Sequence, residues 1–248
     1  MKFFIQFERQ FDFFLTNDKN GNQFEYLLSR KASVKDIIES LGVPHTEVGG
    51  IDFNNCAVDF SYVPLSRGIL HVRAIHPPFS VLSASLLRPM ALKNMKFIAD
   101  VNVIKLGRLL ILLGFDVNYS PFYSDGEIAD IAEAEGRIVL TRDTDLLKRR
   151  KIVFAKRIKA NLPYDQLIEV IIFFGLQNLI SFFSRCTECN IKLVVTAKKD
   201  VIHLLEPKTK RYFNTFYQCP MCKSVFWKGS HYDNIKKKIL SLRISINY

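Results

Sequence analysis

The spacing of apolar residues changes along this chain, and each change marks a different kind of element. Residues 2–7, KFFIQF, alternate weakly, as a half-buried strand does, and Phe24–Leu28 predicts a second strand. In SVKDIIESLGV, residues 33–43, Val34, Ile37, Ile38 and Leu41 recur at the three-and-four spacing of one helix face. Ser33 suits the start of that helix, because its hydroxyl can take an unpaired first-turn amide, and Gly42 suits its end. HVRAI, residues 71–75, predicts a closing strand. The next stretch, residues 77–95, carries three prolines and three serines without a clear period. It reads as a linker, apolar enough that part of it packs on a neighbour.

From residue 96 the rhythm becomes strand, helix, strand. KFIAD is a strand, VIKLGRLLILLG a helix closed by Gly114, and FDVNY a strand. SDGEIADIAEAEG is a helix closed by Gly136, RIVLT a strand, and DTDLLKRR opens a short helix. IVFAK makes a fourth strand, and PYDQLIEVIIFF a helix with Pro163 in its first turn. Strands alternating with helices at this spacing predict βαβ units and an α/β parallel sheet with helices on both faces. The earlier hairpin, helix and later strands predict an α+β unit of the β-grasp, ubiquitin-like kind. Residues 184–230 turn cysteine-rich and strand-like, and DNIKKKILSLR, residues 233–243, predicts a basic terminal helix. The expected division is residues 1–76, a linker 77–95, the parallel-sheet unit 96–183, and a cysteine ribbon with its helix, 184–248.

Composition narrows the class. Of 248 residues, 48% are apolar and 24% charged, which suits a packed core and excludes a disordered tail. The net charge of +11 favours a polyanionic partner. The greasiest runs, LLILLGF and VIIFFGL, are far shorter than the roughly 20 residues a bilayer needs. Glu8 and Arg9 interrupt the N-terminal apolar stretch before a signal-peptide core forms. A cytoplasmic location with reduced cysteines is therefore expected.

Candidate chemistry gathers at GRIVLTRDTDLLKRR, residues 136–150, where a buried strand hands over to acid and then to base. In an open parallel sheet, ligands bind beyond the carboxyl ends of the strands. Asp100 ends one strand, and Asp143 and Asp145 follow another. Were those strands neighbours, three carboxylates would share one rim. Clustered carboxylates repel unless a cation sits among them, and a hard divalent ion, magnesium or manganese, fits oxygen ligands best. Lys148, Arg149, Arg150 and Lys151 lie next to the acids and, with Lys156, Arg157 and Lys159, suit a phosphate backbone. Acid for metal beside base for phosphate is the arrangement a nuclease needs. Each acid also has a structural reading: Asp143 caps its helix, and Asp145 favours the helix dipole. In SDGE, Ser124 and Glu127 fit a capping box, while Asp125 or Glu127 is alternatively a fourth site acid. Asp116 and Asp130 read as ordinary solvated positions, and no histidine shows ligand spacing.

RCTECN and QCPMCK place Cys186 and Cys189, then Cys219 and Cys222, as two CxxC knuckles. Four thiolates suit tetrahedral zinc, and with every position filled by protein the ion is structural. The polar strands between the knuckles predict a ribbon held by metal in place of a core. Lys208, Lys210, Arg211, Tyr212, Phe213, Phe216, Trp227 and Lys228 either present stacking and charge to nucleic acid or cover the ribbon's own apolar side. Cys56 is unpaired and expected in the core.

FIADVNVIKLGRLLILLGFDV, SDGEIADIAEAEGRIVLTRDTDLL, PYDQLIEVIIFFGL, FSRCTECNIKL and CPMCKSVFWKGSHYDNI together resemble the Mut-seven C-terminal RNase family, in order, from about residue 96 to 235. The resemblance implies a PIN-type nuclease fold with a zinc ribbon. It places catalytic acids at Asp100, Asp143, Asp145 and, through the DGEI match, Asp125. SVKDIIESLGVPHTEVGGIDFNN resembles the ubiquitin-like module fused ahead of such nucleases in bacteria and related to sulfur carriers. Those carriers end in Gly-Gly, whereas Gly49 and Gly50 lie mid-chain, so the module is expected to dock a protein partner or position something. The first helix departs from the family pattern at Ile111, where an arginine is usual; Arg108 remains as a nearby cation for phosphate.

The reading is a metal-dependent ribonuclease with structural zinc and catalytic magnesium or manganese. The alternative is a non-catalytic nucleic-acid-binding adaptor with a β-grasp docking module, and a third option is a flap-type DNA nuclease.

Overall fold

The computed structural model describes residues 2–19, 23–230, 232–234, 236, 237 and 241. The first sheet holds β1 (Lys2–Phe7), β2 (Phe24–Leu27), β3 (Val48–Phe53), β4 (Cys56–Ala57) and β5 (Ile69–Ala74), in the order β2-β1-β5-β3-β4. The central pair β1/β5 is parallel and its neighbours are antiparallel. Alternate residues of β1 and β5, Phe3, Ile5, Phe7, Leu70 and Val72, share one core with Val34, Ile37 and Ile38 of α1 (Val34–Ser40). Ser33 starts that helix through a capping box closed by Asp36, so two first-turn amides are satisfied. This is the β-grasp arrangement expected from the spacing. Cys56 is not in the core: it is exposed, on a two-residue strand at the sheet's edge whose side chains meet no second layer.

The second sheet is wholly parallel. It holds β6 (Lys96–Ala99), β7 (Asp116–Tyr119), β8 (Ile138–Thr141) and β9 (Ala155–Arg157), in the order β7-β6-β8-β9. Side-chain alternation sends Phe97, Ala99, Ile138 and Leu140 to one face, against α2 (Ile104–Leu112) and α5 (Pro163–Phe174). Ile98 and Val139 point the other way, onto α3 (Asp125–Glu135) and α4 (Thr144–Leu147). Helices thus cover both faces, which is why these strands read as unbroken apolar runs. β9 begins later than IVFAK suggests, because Ile152 and Phe154 enter the two cores from a loop before pairing starts. Gly114 closes α2 at φ +92, and an added Cβ there would strike the Ser181 carbonyl. Ile111 is buried among the apolar residues between α2 and α5.

The β-grasp unit packs against the outer edge of β9. Glu47 accepts the Arg157 amide at 2.7 Å, so an edge-strand donor meets a carboxylate instead of another chain. His45 Nε2 lies 2.8 Å from the Ile152 carbonyl, and its Nδ1 lies 2.6 Å from Glu39. Arg88, from the stretch between the units, is buried and donates to the carbonyls of His45, Thr46, Val48 and Val153. Burial pushes its guanidinium down to about 10, although Glu47 opposes the shift.

The third sheet, β10 (Val194–Thr196), β11 (Phe216–Gln218) and β12 (Val225–Phe226), is an antiparallel ribbon, interrupted by α6 (Lys198–Val201) and α7 (Pro207–Tyr212). It has a small core of its own, Val201, Leu205 and Phe216, which the polar strands did not suggest. Val201 comes from α6, Leu205 from the segment between α6 and α7, and Phe216 from the start of β11. The terminal helix expected over residues 233–243 falls largely outside the described residues. Among those described, no helix is long and apolar enough to cross a membrane.

Candidate metal and nucleic-acid site

β6 and β8 are neighbours and run the same way, so their carboxyl ends open on one rim. Asp100 follows β6, and its amide continues the pairing to the Leu140 carbonyl at 3.0 Å. Thr141, the last residue of β8, is fully buried; its hydroxyl donates to Asp100 Oδ2 at 2.7 Å and accepts the Asp143 amide at 2.9 Å. One side chain therefore ties both acidic positions together. Asn102 adds a second tie, donating to Asp100 Oδ2 and accepting the Arg142 amide at 3.0 Å. Asp100 Oδ1 takes the Val101 amide at 2.6 Å. The carboxylate is nearly buried and fixed on both oxygens.

Asp143 is also the N-cap of α4, accepting the Asp145 amide at 2.7 Å and the Leu146 amide at 3.4 Å. Asp145 points to solvent, its side chain 90% exposed, 3.6 Å from Lys148. Across the rim, Ser124 and Glu127 close the capping box of α3. The Ser124 amide and hydroxyl hold Glu127 below the usual carboxylate range. Asp125 is left free of the box and lies 3.4 Å from Arg149.

The basic block is largely engaged by acids. Lys148 meets Asp145, Arg149 meets Asp125, and Lys151 meets Asp130 at 2.6 Å and Glu133 at 3.7 Å. Arg150 is exposed, and the Arg108 guanidinium lies over the Tyr119 ring. Asn102, Thr141 and Arg142 are rim residues that motif reading did not single out. For Thr141 and Arg142 the signal was present in TRDTD, overshadowed by its acids. Arg157, expected among the cations that hold a phosphate backbone, is set beside Thr141 by the register.

Asp116 is not an ordinary solvated position. It binds Arg137 at 2.6 Å, Arg185 at 3.5 Å and the Asn190 amide group at 3.0 Å, joining β7 to the ribbon. Burial alone would raise its pKa, but the Arg137 hydrogen bond and the charges of Arg137 and Arg185 carry it below the usual range.

The sulfur atoms of Cys186, Cys189, Cys219 and Cys222 all lie within 4.8 Å of one another. Among the described residues this is the group of three or more metal-binding side chains that closes so tightly; no set of carboxylates does. The 3.7 Å between Cys186 and Cys222 sulfurs matches the tetrahedron edge of about 3.8 Å that Zn–S bonds of about 2.3 Å impose. Without a cation four thiols this close cannot all ionise. Hydrogen bonds from Ser224 hold Cys222 down to about 6, while the Cys222 thiol and burial push Cys189 up to about 12. The donor set fits zinc.

The ribbon's aromatics divide between buried and exposed positions. Phe216 is buried and Phe213 packs on the small core, whereas Tyr212 is exposed. Trp227, Tyr217 and Phe226 line a groove of about 560 Å³ with Phe182 and Phe183.

A family model for the Mut7-C RNAse domain matches residues 95–239, and one for Mut7-C ubiquitin matches residues 1–79. No curated protein and no solved structure gives a match.

Proposed function

The chain belongs to the Mut7-C RNAse domain family, fronted by a Mut7-C ubiquitin unit, and from that premise we propose a metal-dependent ribonuclease acting at the rim of Asp100 and Asp143. The supporting observation is the Thr141 hydroxyl, which binds the Asp100 carboxylate and the Asp143 amide at the ends of adjacent parallel strands. Residues 1–76, 77–95, 96–183 and 184–248 then serve as docking module, linker, nuclease and zinc ribbon.

The rim offers hard oxygen donors, and magnesium characteristically takes one or two carboxylates and keeps several waters. Asp100 and Asp143 would hold such an ion, with Asp145 and Asp125 completing the acidic surround. A bound magnesium or manganese ion would supply Lewis acidity toward a phosphodiester oxygen and toward water. Thr141 and Asn102 fix the Asp100 carboxylate so that no side-chain search accompanies binding. Arg142, Arg150 and Arg108 provide positive charge for the strand. Zinc at the four cysteines holds the ribbon closed.

The deciding experiment is cleavage of single-stranded RNA with manganese by wild-type and Asp100→Asn protein, beside matched DNA. Loss of cleavage with an unchanged circular-dichroism spectrum supports the assignment. A variant cutting RNA at the wild-type rate overturns it.

One observation favours the adaptor reading. Asp143 is occupied as a helix cap, and Asp125 and Asp145 lie against Arg149 and Lys148, so each has a structural use. Calorimetric titration separates the two. A manganese site weakened by Asp143→Asn belongs to the enzyme, and RNA binding without such a site belongs to the adaptor.

A further inference from the structure

We propose that the ubiquitin-like unit contributes to the RNA site: a base of single-stranded RNA stacks on Phe13, and the adjoining phosphate lies against Arg157 and Arg142. This rests on the ribonuclease reading and extends it to the N-terminal unit.

The register places Arg157 at the end of β9 directly beside Thr141, so it belongs to the same rim as Asp100 and Asp143. Its Nε donates to Thr144 Oγ1 at 3.3 Å, one residue beyond Asp143. Its guanidinium lies 4.2 Å from the centroid of the Phe13 ring. Phe13 thus reaches from the ubiquitin-like unit to the carboxylate edge, yet stays 64% exposed. A large ring backed by a cation and open to solvent is the kind of platform on which any base can stack.

Charge points to the same ligand. Lys148, Arg149 and Lys151 all have carboxylate partners, but among the described residues neither Arg142 nor Arg157 is ion-paired. Arg142 is held by the Asn161 side-chain oxygen at 2.8 Å. Burial lowers the Arg157 pKa and the charge of Arg142 adds to this, against the opposing carboxylates of Glu47, Glu169 and Asp143. The nearby Glu47 and Glu169 are committed to backbone amides at Arg157, Lys159 and Ala160 and to Lys156. Two neighbouring guanidinium groups without an ion-pair partner suit a phosphate.

The test uses the full chain with Asp100→Asn, which prevents turnover, and fluorescence anisotropy with a labelled single-stranded RNA ten-mer. Phe13→Ala is expected to weaken binding about tenfold and Phe13→Trp to restore it. Arg142→Gln and Arg157→Gln should each weaken binding and lower the salt slope by about one. The thermal midpoint of Phe13→Ala should fall by no more than the loss of one exposed cation–π contact brings, and Phe13→Trp should match the parent. If Phe13→Ala binds as the parent does while Arg142→Gln weakens, the ubiquitin-like unit has no part in the site and only this proposal falls. If the parent binds no RNA, the ribonuclease reading falls with it.

Discussion

The Thr141 hydroxyl donates to the Asp100 carboxylate at 2.7 Å, across the gap between two neighbouring strand ends. Because the same oxygen accepts the Asp143 amide, its loss removes one support from each acidic position at once. Partners that orient metal ligands typically cost about 10–100-fold in activity or metal affinity when removed. Thr141→Val should therefore lower manganese-dependent RNA cleavage by about that factor. Thr141→Ser, which keeps the hydroxyl, should stay within a few fold of wild type. Equal rates for Val and Ser would show that the hydroxyl has no bearing on the acids.

Arg88 carries the contact between the first two units. Its guanidinium satisfies carbonyls on both sides, at His45, Thr46 and Val48 and at Val153. Arg88→Met keeps much of the apolar stem but strands those buried oxygens, at a cost on the order of 3 kcal/mol. Urea unfolding followed by fluorescence should show a lower midpoint, with the ubiquitin-like unit separating as an earlier step. A single transition at the wild-type midpoint would mean that water replaces the guanidinium at no cost.

The strand–helix alternation from residue 96 was legible because both faces of the sheet are covered, which leaves uninterrupted apolar runs between helix caps. Capping residues were equally readable: Ser33, Ser124 and Asp143 each sit at a helix start. What spacing could not disclose was pairing. Asp116 looked solvated because its partners, Arg137, Arg185 and Asn190, are 21 or more residues away. The basic block looked available for phosphate because Asp125, Asp130 and Glu133, which meet Arg149 and Lys151, stand on α3, a different helix. Cys56 looked like core because a cysteine's burial depends on which strand forms the edge, and that is a property of the whole sheet. Arg157 was legible as a cation for the substrate backbone, but its place beside Thr141 came only from the pairing of β9 with β8.

Asp116 gives the chain an acid-sensitive joint. Its folded-state pKa lies below its unfolded one, so its stabilisation is complete above the ordinary aspartate value of about 4 and disappears as pH falls through the lower folded value. Asp116→Asn should lower the thermal midpoint near neutral pH by roughly 2–4 °C, as about 1 kcal/mol does in a chain of this size. The gap between variant and wild type should close below about pH 4. A gap independent of pH would assign the loss to packing instead of charge.

Zinc should govern the ribbon and leave the rest of the chain folded. The ribbon's own core is Val201, Leu205 and Phe216, too little apolar surface to hold three short strands. The parallel sheet and the β-grasp unit each have large cores that do not involve the cysteines. Cys219→Ser, which removes a buried ligand, should abolish stoichiometric zinc binding and open residues 184–230 to protease. Fragments beginning at residue 1 and ending near residue 183 should persist, because Arg185 and Asn190 are the ribbon's polar ties to Asp116 and neither supports the sheet's core. If the whole chain were digested at one rate, the ribbon and the parallel sheet would form one cooperative unit, with Gly114 and Arg185 as the joint between them.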